Sequence, residues 1–196
     1  MKKIAVPAFT LLILVLSFSC KQKKKDNPEA AKFLPVLSFI KSQVADIDTS
    51  LYSIRKVTFI DSIKSDTGFY KREQFRELAT EFLNLPDISS SEYSDRYTET
   101  SQFDETLNRA VFTYLPVKPE NERIQRQEVL VKSEPPNDKI TSIIIDYNIN
   151  SKDSSIQKRM LWQVDRSFQI TTIRQLPGQP ESITTYKVIW NDEDNQ

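Results

Sequence analysis

Acids are the only catalytic side chains present in quantity. Along "DISSSEYSDRYTETSQFDE", residues 87–105, Glu92, Asp95, Glu99, Asp104 and Glu105 gather within one polar stretch. Glycoside hydrolysis needs two carboxyl groups facing each other at roughly 5–10 Å, one of them desolvated enough to stay protonated. Arg96 and Arg109 are interspersed here, and the stretch reads as a solvated mixed-charge segment rather than such a pair. Two S-x-x-K spacings, Ser38–Lys41 and Ser53–Lys56, put a lysine one helical turn from a serine. They lack the companion K-T-G motif of penicillin-binding enzymes and read as surface residues. The chain has no histidine, so imidazole bases, imidazole metal ligands and Ser-His or Cys-His pairs are excluded. With only Gly68 and Gly178, no glycine-rich loop can cradle a phosphate, and no nucleotide cofactor is expected. The acidic triplets "DID" (46–48) and "DED" (192–194) lack the glycine turn and bidentate glutamate of a calcium loop, so no metal is expected either. The reading is non-enzymatic.

The single cysteine carries more information. Residues 1–20, "MKKIAVPAFTLLILVLSFSC", run from basic Lys2 and Lys3 through an apolar stretch, Ile4 to Phe18, to small Ser19 and then Cys20. That is the layout of a secretory signal over residues 1–19, too short to act as an ordinary spanning helix. The stretch resembles the lipobox of bacterial lipoproteins, with Ser19 before the cysteine and Leu16 beside Ser17 where that box has its aliphatic residue. The resemblance implies that the Cys20 sulfur receives a diacylglyceryl group and becomes the first residue of the mature chain. Two or three acyl chains anchor a protein far better than one. The other reading, an ordinary cleaved signal, would leave Cys20 as a spare thiol. One cysteine can form neither an internal disulfide nor a thiolate zinc site.

Residues 20–28 follow as a basic tether, with Lys21, Lys23, Lys24 and Lys25 able to favour anionic headgroups. Surface-exported lipoproteins of some bacteria carry acids at this place, so the lysines point to the periplasmic side of the bacterial envelope. Of 27 basic side chains, Lys2 and Lys3 fall within the signal, and the remainder nearly balances 27 acids. No nucleic-acid footprint is present.

Residues 29–196 read as one domain. Phe33, Leu37, Ile40, Val44, Ile47 and Leu51 recur in steps of four and three, the stripe of an amphipathic helix, begun at Asn27–Pro28 or near Pro35. "SLYSIRKVTFIDSI" reads as a strand, with continuation of the first helix to about Ile54 as the competing reading. Phe75, Leu78, Ala79 and Phe82 mark a second helix, capped near Asp66 or Thr67 and stopped by Pro86. From Arg109 onward six β-rich runs are separated by turn chemistry such as "EPPND" and "PGQPE". Ile143, Ile145, Tyr147 and Ile149 line one face, with Ser142, Ile144, Asp146 and Asn148 on the other, as in an antiparallel meander with one covered face. The expected fold is α+β, a curved antiparallel sheet of five to six strands with two amphipathic helices on one face. In element order it is similar to cystatin-like or NTF2-like folds.

Residues 87–105 have no period, and long irregular connections in compact domains are often functional. Tyr93, Arg96, Tyr97 and Phe103 are therefore the candidate contact loop, against the alternative of a short helix packed by those aromatics or a merely mobile stretch. The leading expectation is a lipid-anchored binding module, its partners the membrane through Cys20 and another envelope protein. The alternative is a carrier with a pocket for a lipid or other hydrophobic ligand lined by Trp162, Phe168 and Tyr186. A carboxylate hydrolase is the third.

Overall fold

The computed structural model describes residues 32–60 and 63–192. The signal, Cys20 and the tether lie outside these residues. Helix α1 (Val36–Thr49) starts directly after Pro35, a residue that can sit at a helix start but not continue one. Its Val36, Ile40, Val44 and Ile47 are buried, whereas Leu51, past its end, is exposed. No helix among the described residues is long and apolar enough to cross a membrane.

Nine strands follow in one antiparallel sheet: β1 (Ile54–Ile60), β2 (Ile63–Tyr70), β3 (Tyr97–Asp104), β4 (Arg109–Pro116), β5 (Ile124–Lys132), β6 (Lys139–Asn150), β7 (Ser155–Gln163), β8 (Ser167–Gln175) and β9 (Ser182–Ile189). Their order is β2-β1-β9-β8-β7-β6-β5-β4-β3, so the sheet is open, with β2 and β3 at its edges. The expectation of five to six strands with two packed amphipathic helices is thus corrected to a mostly β protein with few, short helices.

Two physical reasons account for the difference. Asp66 and Thr67, read as a helix cap, lie in β2, where Thr67 faces Val57 and Tyr70 faces Ile54 of β1. The second helix shrinks accordingly to a 3-10 turn (Arg72–Gln74), α2 (Phe75–Leu78) and α3 (Thr80–Leu83), broken at Ala79, whose ψ of 3° departs from α geometry. Residues 97–104, read as loop, form the edge strand β3, and an edge strand with little packed on it beyond its first residue needs no apolar alternation.

Register builds the core. Val188, Phe168, Trp162, Ile143 and Val129 stand opposite one another in successive strands from β9 to β5. The neighbouring row is Tyr186, Ile170, Met160, Ile145, Gln127 and Tyr114. Both rows lie on one face, and cross-strand pairs of this kind are the unit of sheet stabilisation. The cover is α1 together with the chain between β2 and β3, which joins one edge to the other and buries Phe75, Ala79, Phe82 and Ile88 on the way. Phe75 meets Trp190 at 5.1 Å between ring centroids and Phe168 at 6.0 Å. Phe82 meets Trp162 at 5.2 Å, and Trp162 stacks on Phe168 at 5.4 Å. Gln127 is the polar exception in the rows: it is buried, and its side-chain amide nitrogen has no partner.

Candidate functional site

Of the four candidate contact residues, the fold brings three together and sends the fourth elsewhere. Residues 88–96 make tight turns ending in a 3-10 turn (Ser94–Arg96), which delivers Arg96 and Tyr97 to the start of β3. Arg96 stacks its guanidinium over the Tyr93 ring at 4.3 Å and donates through Nη1 to Glu122 Oε1 at 3.0 Å. Tyr97 is buried in the core; its hydroxyl donates to the Ile124 carbonyl at 3.2 Å and lies 3.4 Å from Glu122 Oε2. Burial, then the Glu122 charge, pushes the Tyr97 hydroxyl well above the usual tyrosine range. Phe103, six residues along β3, stands on the order of 20 Å from Tyr97 and is exposed beside the β3–β4 turn with Leu107. Three of these residues thus lie in or beside a compact turn cluster and Phe103 on an edge strand, rather than all in one loop.

Glu122 organises this cluster, and sequence reasoning missed it. Its side chain is only 6% exposed. It follows a 3-10 turn (Pro119–Asn121) between β4 and β5, in a stretch crowded with charges where no spacing sets it apart. Around it opens a surface hollow of about 360 Å³ lined by Asn84, Pro86, Tyr93, Arg96, Arg123 and Tyr147. Arg123 donates through Nη1 to the Tyr147 hydroxyl at 3.4 Å. The hollow thus offers two guanidinium groups and two phenol rings around one carboxylate, a surface suited to aromatic and charged side chains of a partner.

Charge-assisted hydrogen bonds to a nearly buried carboxylate are the strong kind. Glu122→Gln is expected to lower the unfolding free energy by about 1–2 kcal/mol, read as a reduced urea midpoint at unchanged slope. Exposed Glu120→Gln should leave the midpoint in place.

The acids of residues 87–105 do not converge in pairs across this hollow. Asp95 takes Lys32 at 3.3 Å, Glu99 stands opposite Tyr114 across the β3–β4 pair, and Asp104 accepts from the Leu107 amide at 3.1 Å. No group of three or more acids or cysteine that could hold a metal occurs among the described residues. Ser38 and Lys41 are exposed on α1, whereas Ser53 precedes β1 and Lys56 lies on it, its ammonium 4.6 Å from the centroid of the Tyr186 ring.

Trp162 and Phe168 are fully buried against Phe75 and Phe82, so the space that a carrier pocket would occupy is filled by rings. Tyr186 sits at the margin of that packing, where its hydroxyl donates to Glu81 Oε1 at 3.3 Å and Lys158 pairs with the other oxygen. A hollow of about 410 Å³ opens there, lined among others by Ile149, Ile156, Thr172, Arg174 and Thr184.

These features define an open, nine-stranded antiparallel sheet with one covered face and a charged hollow at the start of an edge strand. No family model matches the chain, and no curated protein or solved structure matches it.

Proposed function

We propose that the protein is a non-enzymatic interaction module of the bacterial envelope, held at the membrane by acyl chains on Cys20 and facing the periplasm. The observation that carries this reading is the place of the only cysteine, directly after a basic and apolar leader and before a run of lysines. The folded body supports it in two ways. The aromatic packing of Phe75 and Phe82 against the sheet favours a contact surface over a ligand cavity, and Asp95 and Asp104 hold a lysine and a backbone amide rather than each other. Lys32, the first described residue, donates to the Ser94 carbonyl at 3.0 Å, which ties the start of the body to the turn that builds the Arg96–Glu122 cluster. Twelve residues from Cys20 to Lys32 span at most about 40 Å, which would keep an anchored body within that reach of the bilayer and of neighbouring envelope components.

The test is Cys20→Ala in cells fed labelled palmitate. The parent chain is expected to take up label and sediment with membranes, and the variant to lose both. A parent chain carrying a bare thiol and recovered free of membranes would overturn the proposal.

A further inference from the structure

The two edges of the sheet are built differently. β2 carries a register shift: Thr58 pairs with Asp66 but Phe59 with Lys64, which leaves Ser65 without an opposite residue. Bulges and charges are standard guards against edge-to-edge pairing. β3 has neither a bulge nor a proline, its charges are Glu99 and Asp104 alone, and its eight residues pair with β4 in unbroken register. Thr98 to Phe103 are all exposed.

The backbone of β3 presents its groups in a definite alternation. The Val117 amide donates to the Arg96 carbonyl at 2.8 Å, and in an antiparallel ladder every second residue exchanges such bonds. Thr98, Thr100, Gln102 and Asp104 therefore face β4. Tyr97, Glu99, Ser101 and Phe103 direct their N–H and C=O groups outward, away from the sheet.

We propose that β3 is a pairing edge for a second copy of this chain, joined antiparallel about a two-fold axis through Thr100. In this register Thr100 faces Thr100 of the second copy, Glu99 faces Ser101, Thr98 faces Gln102 and Tyr97 faces Phe103. Each outward-directed residue then meets another, so all the outward groups of the strand find partners. The exposed Phe103 of each copy then lies at the strand end beside Tyr97, whose own ring stays in the core. Sliding by one pair in one direction sets Glu99 against Glu99, and in the other sets Glu99 against Phe103; a one-residue slip would exchange the faces of the sheet. The strand is thus complementary to itself in one register. This goes beyond the membrane-anchored reading and is independent of the lipid.

The experiment uses the full chain in mild detergent with Cys20→Ala, so that an introduced thiol is the only one. Thr100→Cys places two sulfurs on the axis at a non-hydrogen-bonded pair, where Cα atoms approach to ~4.5 Å, within disulfide range. It should form a linked dimer under mild oxidant, and Ser101→Cys should form at least tenfold less. In the same background without new thiols, sedimentation should show Ser101→Lys, opposite Glu99, tightening the dimer and Ser101→Glu weakening it, each by about tenfold for the two symmetric pairs. Ser101→Pro removes an outward N–H that β4 does not use and should give a folded monomer. Three results would each overturn the proposal: no Thr100→Cys dimer up to about 1 mM chain, equal linkage at Thr100 and Ser101, or slow amide exchange of Glu99, Ser101 and Phe103 in a dilute monomer, which would mean the chain covers its own edge.

Discussion

Replacing Phe75 with alanine is expected to lower the unfolding free energy by about 3–5 kcal/mol, the usual cost of deleting a fully buried ring. Phe75 is 0% exposed and touches three other rings edge-on, Trp162, Phe168 and Trp190. Those neighbours belong to β7, β8 and the residue after β9, whereas Phe75 belongs to the chain crossing between the two edges, so the deletion weakens the seam between cover and sheet. Domains of ordinary stability hold only about 5–15 kcal/mol, and a loss of this size leaves the variant marginal. Both tryptophans of the chain, Trp162 and Trp190, lie in this cluster, so denaturation followed by tryptophan fluorescence reports the seam directly. Phe75→Leu keeps most of the volume and should lose far less. A Phe75→Ala variant within about 1 kcal/mol of the parent would mean that the crossing chain does not hold the core.

The second large effect is alkaline. Burial raises the hydroxyls of Tyr97, Tyr114 and Tyr186 well above the usual tyrosine value, with Glu122, Glu99 and Glu81 respectively adding to the shift. Below the unfolded value near 10 all three are protonated in both states, and their contribution to stability is fully present. Above it the unfolded chain releases protons that the folded chain keeps, so stability falls by about 1.4 kcal/mol per pH unit for each tyrosine, about 4 for the three. Urea midpoints measured from pH 9 upward should therefore drop steeply past about pH 10, with tyrosinate absorbance from these groups appearing together with unfolding. Tyr114→Phe should reduce the slope by one tyrosine's share. An unchanged slope in that variant would show that Tyr114 titrates normally in the folded chain.

What could be read from the sequence follows from which faces are covered. β4 to β9 coincide with the six β-rich runs, because packing one face under rings imposes alternation, as at Ile143, Ile145 and Tyr147. β3 left no trace of that kind because almost nothing packs on it beyond Tyr97. β2 was hidden by Asp66 and Thr67, whose cap-like chemistry serves instead a local bond from the Thr67 amide to the Asp66 side chain at 2.7 Å. Of Phe75, Leu78, Ala79 and Phe82, whose spacing predicts one face of a single helix, all but half-buried Leu78 are buried, but the chain carrying them is broken into short turns. A chain that must span the sheet from edge to edge does so in short turns rather than one continuous helix. At the site, Tyr93 and Arg96 stood out by residue type, but Glu122 lies 26 positions beyond Arg96 and only the closure of β3 on β4 and β5 brings them together.

The placement of β1 governs when this molecule can take shape. Arg55 to Ile60 find their second neighbour only in β9, at Thr184 to Ile189, so the first strand synthesised waits for the last. Partners this distant in sequence make for slow closure, since loop entropy is spent before the contact forms. Until that final strand is in place β1 has only β2 beside it, and the β1–β2 hairpin stays separate from the rest of the sheet.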